Sequence, residues 1–97
     1  MKAYVIANID VRDPVRYADY VKLTPGTIEP FGGKFIARGG RLQKLEGDTA
    51  ANRVVVLEFP SFDQARAWYD SEGYRVARAI RQSASTGSLV LVEGVAP

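Results

Sequence analysis

Two stretches of the chain are apolar on both sides of an extended backbone. Residues 2–11, KAYVIANIDV, point Tyr4, Ile6 and Asn8 one way and Val5, Ala7 and Ile9 the other. Residues 53–59, RVVVLEF, divide into Val54, Val56 and Glu58 against Val55, Leu57 and Phe59. Strands with two apolar faces belong in the middle of a sheet. Shorter runs at 34–38 and 86–93 read as the outer strands. The first of these closes at Gly39-Gly40 and is expected to continue, past a glycine bulge, through 42–45. Residues 47–52 are polar loop.

Between the first two strands the repeat becomes helical. Asp13-Pro14 supplies a cap followed by proline at the first helical position, where a missing N–H costs nothing. Tyr17, Val21, Thr24, Ile28 and Phe31 then recur on one face. Pro25 is expected to kink this helix and Gly32-Gly33 to end it. After Pro60, Ser61 and Gln64 have capping-box spacing for a helix through Ala65, Trp68 and Tyr69. That helix falters at Ser71-Glu72-Gly73. A further helical stretch from 74 to about 82 is expected to turn Val76, Ala77 and Ile80 inward.

The order β-α-β-β-α-β is the split βαβ of ferredoxin-like folds, of the α+β class: a four-stranded antiparallel sheet with two helices on one face. The helices leave the other face open. Four strands of about seven residues expose on the order of 400 Å² there, as much as the largest patch a monomer normally shows. A second copy placed sheet to sheet covers it most economically, and a sheet that closes on itself is the alternative.

With 97 residues, the chain is read as one domain over 1–97. Thirteen basic and 11 acidic residues leave a net charge of +2, which speaks against nucleic acid as a partner. No apolar run approaches the roughly 20 residues of a membrane span, and the first residues do not read as a signal peptide, so a cytoplasmic protein is expected. Cysteine and histidine are both absent. Their absence removes disulfides, thiolate nucleophiles, Cys/His zinc sites, imidazole-ligated haem and every Ser-His-Asp device. No cofactor is expected. Asp10, Asp13, Glu46, Asp48 and Glu58 show no metal-ligand spacing.

A general base must then be a carboxylate, lysine or tyrosine moved toward neutrality. Glu58, inside VVVLEF on a central strand, is the leading carboxylate. It serves either as base or ligand contact, or as the partner of an arginine such as Arg38 or Arg81. Arg38, directly before Gly39-Gly40, suits a carboxylate or enolate oxygen at a cavity mouth, or else holds Glu58 or a partner subunit. Tyr17, Tyr20, Trp68, Tyr69 and Tyr74 are core residues first, and as a group they could orient a planar ligand with a polar end. Ser71 reads as a helix cap and Asn8 as a polar residue within the sheet. Arg75, Arg78 and Arg81, with Arg66 before them, form either an anion-binding stripe or a solvated helix face.

The stretches GGKFIARGG, RVVVLEFPSFDQARAWYDSEGY and the closing LVLVEG resemble the small bacterial family called domain of unknown function 1330, over essentially the whole chain. Its pattern is matched by Tyr17, Tyr20, Gly32, Gly33, Arg38, Gly39, Gly40, Glu58, Phe59, Pro60, Ser61, Ala65, Trp68, Tyr69, Ser71, Tyr74 and Arg81. One departure is Ser71-Glu72-Gly73-Tyr74, where relatives often carry Ser-Pro-Glu-Tyr. The resemblance implies the dimeric α/β barrel superfamily, whose ferredoxin-like subunits pair sheet against sheet. That superfamily includes cofactor-free monooxygenases, lactone isomerases, haem-dependent enzymes and sensor-like ligand-binding modules, so a reaction has to be argued from the site.

Two readings result. In the first, a homodimer binds a small molecule in a cleft between sheet and helices, with Glu58, Arg38 and Tyr69 as catalytic candidates and Asn8, Tyr17, Trp68, Ser71, Tyr74 and Arg81 as binding candidates. Proton abstraction, isomerisation and cofactor-free oxygenation are the compatible reactions. In the second, the chain is a non-catalytic dimeric ligand-sensing or structural module in which Arg38 and Glu58 form an ion pair.

Overall fold

Strand β1 (Ala3–Val11) runs through the centre of the sheet, hydrogen-bonded on one side to β3 (Arg53–Phe59) and on the other to β4 (Ser85–Glu93). Strand β2 (Lys34–Arg38) pairs outside β3, giving the antiparallel order β2-β3-β1-β4 of a ferredoxin-like α+β fold. The computed structural model describes all residues, Met1–Pro97. Helix α1 (Pro14–Ile28) crosses between β1 and β2, and α2 (Phe62–Tyr69) with α3 (Glu72–Ala84) connects β3 to β4. The break expected at Ser71-Glu72-Gly73 is present, with Ser71 capping the second of the two helical segments.

Period 2 sorts the sheet into its two faces. Ala3, Val5, Ala7 and Ile9 are buried under the helices, opposite Phe59, Leu57, Val55 and Arg53 of β3. Leu89 and Leu91 of β4 join this inner face opposite Ala7 and Val5, and Phe35 and Arg38 of β2 join it opposite Leu57 and Val55. Trp68, Tyr74, Phe59 and Ile9 are the largest fully buried side chains. The Trp68 and Tyr74 ring centroids lie 4.1 Å apart, and Phe59 follows at 5.3 Å from Trp68.

The helix starts are capped as their sequences dictate. Asp13 accepts from Arg16 N–H at 3.0 Å with Pro14 behind it, and Ser61 accepts from Gln64 N–H at 3.1 Å. Gly32, in the left-handed region at φ 73°, ends the short 3-10 turn Glu29–Phe31 that extends α1.

Three local expectations are corrected. Residues 42–45 form no strand: Gly40–Asn52 is an exposed loop save for buried Ala51. The bulge lies between Phe35 and Ala37, not at the glycines, because Gly39 turns the chain away from the sheet instead of prolonging it. Val76 is 63% exposed, and the inward stripe of α3 is Tyr74, Ala77, Arg81 and Ala84, since Ser71 sets the helix start at Glu72. Helix α1 runs through Pro25 to Ile28, as the helical face from Tyr17 to Ile28 predicts.

Candidate functional site

The small side chains Ala7 and Val5 on β1 leave space beneath α1. A narrow cavity of about 20 Å³ lies there. Its walls are apolar: Val5, Ala7 and Ile9 from β1, Val55 and Leu57 from β3, Leu89 from β4, Phe35 from β2 and Trp68 from α2. Tyr17, Tyr20, Val21 and Thr24 of α1 roof it. The charged groups of its lining are three arginines, Arg38, Arg53 and Arg81, with no carboxylate beside them.

Each guanidinium arrives by a different route. Arg81 stands two helical turns after Tyr74 on the inward stripe of α3 and is only 7% exposed. Its Nε donates to the Tyr74 hydroxyl at 3.3 Å, and that hydroxyl shares a hydrogen bond of 2.8 Å with Tyr20. Arg53 opens β3 on the inner face, with its Cζ 5.4 Å from the centre of the Tyr17 ring. Its Nε is buried without a hydrogen-bond partner. Arg38 ends β2, stacks on Phe35 at 4.2 Å, and donates from Nη2 to the Val21 carbonyl at 2.7 Å. The helix would ordinarily bond that carbonyl to the N–H of residue 25, which is proline. Arg38 therefore supplies the donor Pro25 lacks, and in doing so lies across the cavity mouth.

Burying cation without anion is unfavourable by several kcal/mol per ion unless something compensates. The chain's five ion pairs all lie elsewhere: Lys2 and Lys34 with Glu58, Arg12 with Asp10, Arg66 with Asp70, Arg75 with Glu72. Burial works against the Arg81 charge, but the hydroxyls of Tyr74 and Tyr20 outweigh it and hold the pKa above the ordinary arginine value. Burial, with the neighbouring Tyr74 hydroxyl, pushes the Tyr20 phenol far above its usual range. Burial also raises Tyr17, against the pull of Arg53 and Arg81. At neutral pH the cavity thus offers cations and hydroxyl donors and no group poised to take a proton. Chemically, it can hold and stabilise an oxyanion.

The structure brings Arg38, Tyr17, Trp68 and Arg81 of the sequence-derived candidates to the cavity, with Tyr74 behind them through its hydroxyl. Ser71 is a cap, accepting from Tyr74 N–H at 3.2 Å and donating to Trp68 C=O at 2.7 Å. Tyr69 faces a separate groove between α2 and β4, its ring flanked by Arg66 and Arg78. Glu58 and Asn8 point to the open face of the sheet. Glu58 is held there by Lys2 Nζ at 3.2 Å and Lys34 Nζ at 3.4 Å, so the expected pair with Arg38 or Arg81 is not made. Desolvation opposes its charge, but the two ammonium groups prevail and lower its pKa. Asn8 is exposed between Val54 and Ser88. Arg53 is the principal residue that sequence reasoning missed. Its signal was parity, since 53 shares a face with 55, 57 and 59.

No group of acidic side chains assembles that could hold a metal ion, and no helix is long and apolar enough to cross a membrane.

Among solved structures, a protein of unknown function from Rhodopseudomonas palustris is 23% identical, with a TM-score of 0.80 over 99% of this chain and 84% of that one. SnoaB, a cofactor-independent oxygenase from Streptomyces nogalater, is 13% identical, with a TM-score of 0.66 over 99% of this chain and 95% of that one. An antibiotic biosynthesis monooxygenase is 15% identical, with a TM-score of 0.54 over 99% of this chain and all (100%) of that one. At these identities the likeness is one of fold. A search of curated proteins gave no match. The family model described as "Domain of unknown function (DUF1330)" matches residues 2–95, and with its sheet, helices and cavity accounted for, this chain belongs to that family.

Proposed function

We propose that the chain binds a small, largely apolar molecule carrying an acidic oxygen, in the cavity between sheet and helices. The observation that supports this is the convergence of Arg38, Arg53 and Arg81 on one apolar cavity with no carboxylate among them. An anion with a planar apolar body supplies both the missing charge and contact with Trp68, Tyr17 and Phe35. The interior is narrow, with room for the centre of a water molecule over about 20 Å³. Entry of a larger body requires the exposed Arg38 to leave Val21. Isomerisation and cofactor-free oxygenation both develop charge on a substrate oxygen, and these are the reaction classes the three cations would serve.

Trp68 is the single tryptophan and lines the cavity, so its fluorescence reports occupancy. Benzoate should change that signal saturably, benzamide at least tenfold more weakly, and Arg81→Met should narrow the difference. Equal binding of the two, or benzoate binding with Trp68 unaffected, sinks this reading.

We also propose that a second copy covers the open sheet face. Ile6 lies there between Val56 and Val90, while Ile36, Val90 and Val92 are 53%, 53% and 44% exposed. This apolar band crosses all four strands, as a two-fold interface between sheets requires. Sedimentation should give a dimer that Val56→Glu converts to monomer; a monomeric wild type at high concentration overturns the assignment.

A further inference from the structure

We propose that the cavity takes its ligand only as a preformed oxyanion, ionised by its own acidity, and that Arg53 is the cation that recognises the charge; this rests on the ligand reading above. Every element packed around the site can be checked for a proton acceptor. Helix α1 contributes Tyr17 and Tyr20, β2 contributes Arg38, β3 contributes Arg53, and α3 contributes Arg81 with Tyr74 behind it, while α2 brings Trp68 and β1 and β4 bring only apolar side chains. None of these accepts a proton at neutral pH. The carboxylates of the adjoining strands are committed on the other side of the sheet, Asp10 to Arg12 and Asn52, and Glu58 to Lys2 and Lys34. A neutral acid entering the cavity would have nowhere to leave its proton.

Among the three cations, Arg53 alone keeps a buried donor without a partner, although its guanidinium also lies against the Tyr17 ring. Arg38 is bonded to Val21 and Arg81 to Tyr74, whereas Arg53 Nε is buried and unpartnered. Its guanidinium lies against Gly39, where a Cβ would come within 2.7 Å of Arg53 Cζ and push the side chain aside. A buried, unspent donor at the cavity wall is a contact for an oxygen carrying full negative charge.

The test is calorimetric titration with 4-nitrophenol and the less acidic 4-cyanophenol from about pH 5 to about pH 9, a range that spans both ionisations. Apparent affinity for each should rise about tenfold per pH unit up to that phenol's own ionisation and level off above it, because only the ionised fraction binds. The two curves should be displaced by the difference in ligand acidity. Arg53→Met should flatten both, and Arg53→Lys should restore the slope. Curves that break at one common pH would place a base in the protein and overturn the inference. So would neutral phenols binding as tightly as phenolates, or benzoate binding with neither phenol bound; these outcomes leave the ligand reading intact. Failure of benzoate and both phenols to bind overturns the two together.

Discussion

Arg38 donates from Nη2 to the carbonyl oxygen of Val21 at 2.7 Å, completing in trans the hydrogen bond that Pro25 denies to α1. The proline thus has a tertiary consequence. It leaves one helical acceptor facing β2, and a long side chain from the strand end reaches it across the cavity mouth. Because the contact is exposed, water can replace it when Arg38 swings away, so it suits a latch better than a structural clamp.

The first prediction follows from the shared acceptor. Arg38→Ala should cost about 1 kcal/mol in urea unfolding, the ordinary worth of such a bond. In a Pro25→Ala background, where the helix supplies its own N–H, the same change should cost less than half as much. Equal costs in the two backgrounds would show that the residues are not coupled. The rate of benzoate entry should rise in both single variants.

Gly39 and Gly40 should behave oppositely, although they are adjacent and chemically identical. Gly39 sits at φ +65°, and a side chain there meets the Arg53 guanidinium, whereas a Cβ on Gly40 meets nothing within 4 Å. Gly39→Ala should therefore destabilise by about 1 kcal/mol or more and weaken benzoate binding at least tenfold. Gly40→Ala should leave both within about 0.5 kcal/mol of wild type. If Gly39→Ala binds benzoate normally, Arg53 does not depend on that space.

Much of this arrangement was legible in the chain and some was not. Alternation alone placed Glu58 with Val54 and Val56, on the face opposite Leu57 and Phe59. What alternation does not say is which face the helices take. Ala3, Val5, Ala7 and Ile9 answer that, because small and uniformly apolar side chains let helices approach, whereas Tyr4, Asn8 and Asp10 do not. With the faces assigned, parity sends Arg53 inward and Glu58 outward. The dependence of Arg38 on Pro25, and of Arg53 on Gly39, joins residues 13 and 14 positions apart through the folded geometry, and no local pattern announces it.

The acid limb of stability should carry a contribution from Glu58. Lys2 and Lys34 lower its folded pKa below the unfolded value of about 4.3. The stabilisation is therefore complete above the unfolded pKa and is lost as pH falls through the folded one. Glu58→Gln should unfold at the same denaturant concentration as wild type at the acid end of that window, and earlier above it. Salt should narrow the gap, since both lysines are exposed. Benzoate binding should not change, because the carboxylate lies on the other side of the sheet; a Glu58→Gln variant that folds normally yet loses binding would return Glu58 to the site.

Arg81 sets stability against function most directly. Arg81 is only 7% exposed and donates to a neutral phenol at 3.3 Å, so in the empty protein the cost of burying its charge is met by the Tyr74 and Tyr20 hydroxyls alone, with no anion beside it. A methionine of similar reach fills the same space among Tyr74, Ala77 and Ala84 without that cost. Replacement of buried charges by well-packed apolar groups is often neutral or favourable, so Arg81→Met should match or exceed wild type by up to about 2 kcal/mol. The Tyr20–Tyr74 hydrogen bond should survive, since it does not need the cation. Benzoate affinity should fall at least tenfold, about 1.4 kcal/mol. A gain in stability with a loss of binding is what a residue retained for its ligand produces. A loss of several kcal/mol with binding unchanged would mean that Arg81 serves the core and that Arg38 and Arg53 carry the anion without it.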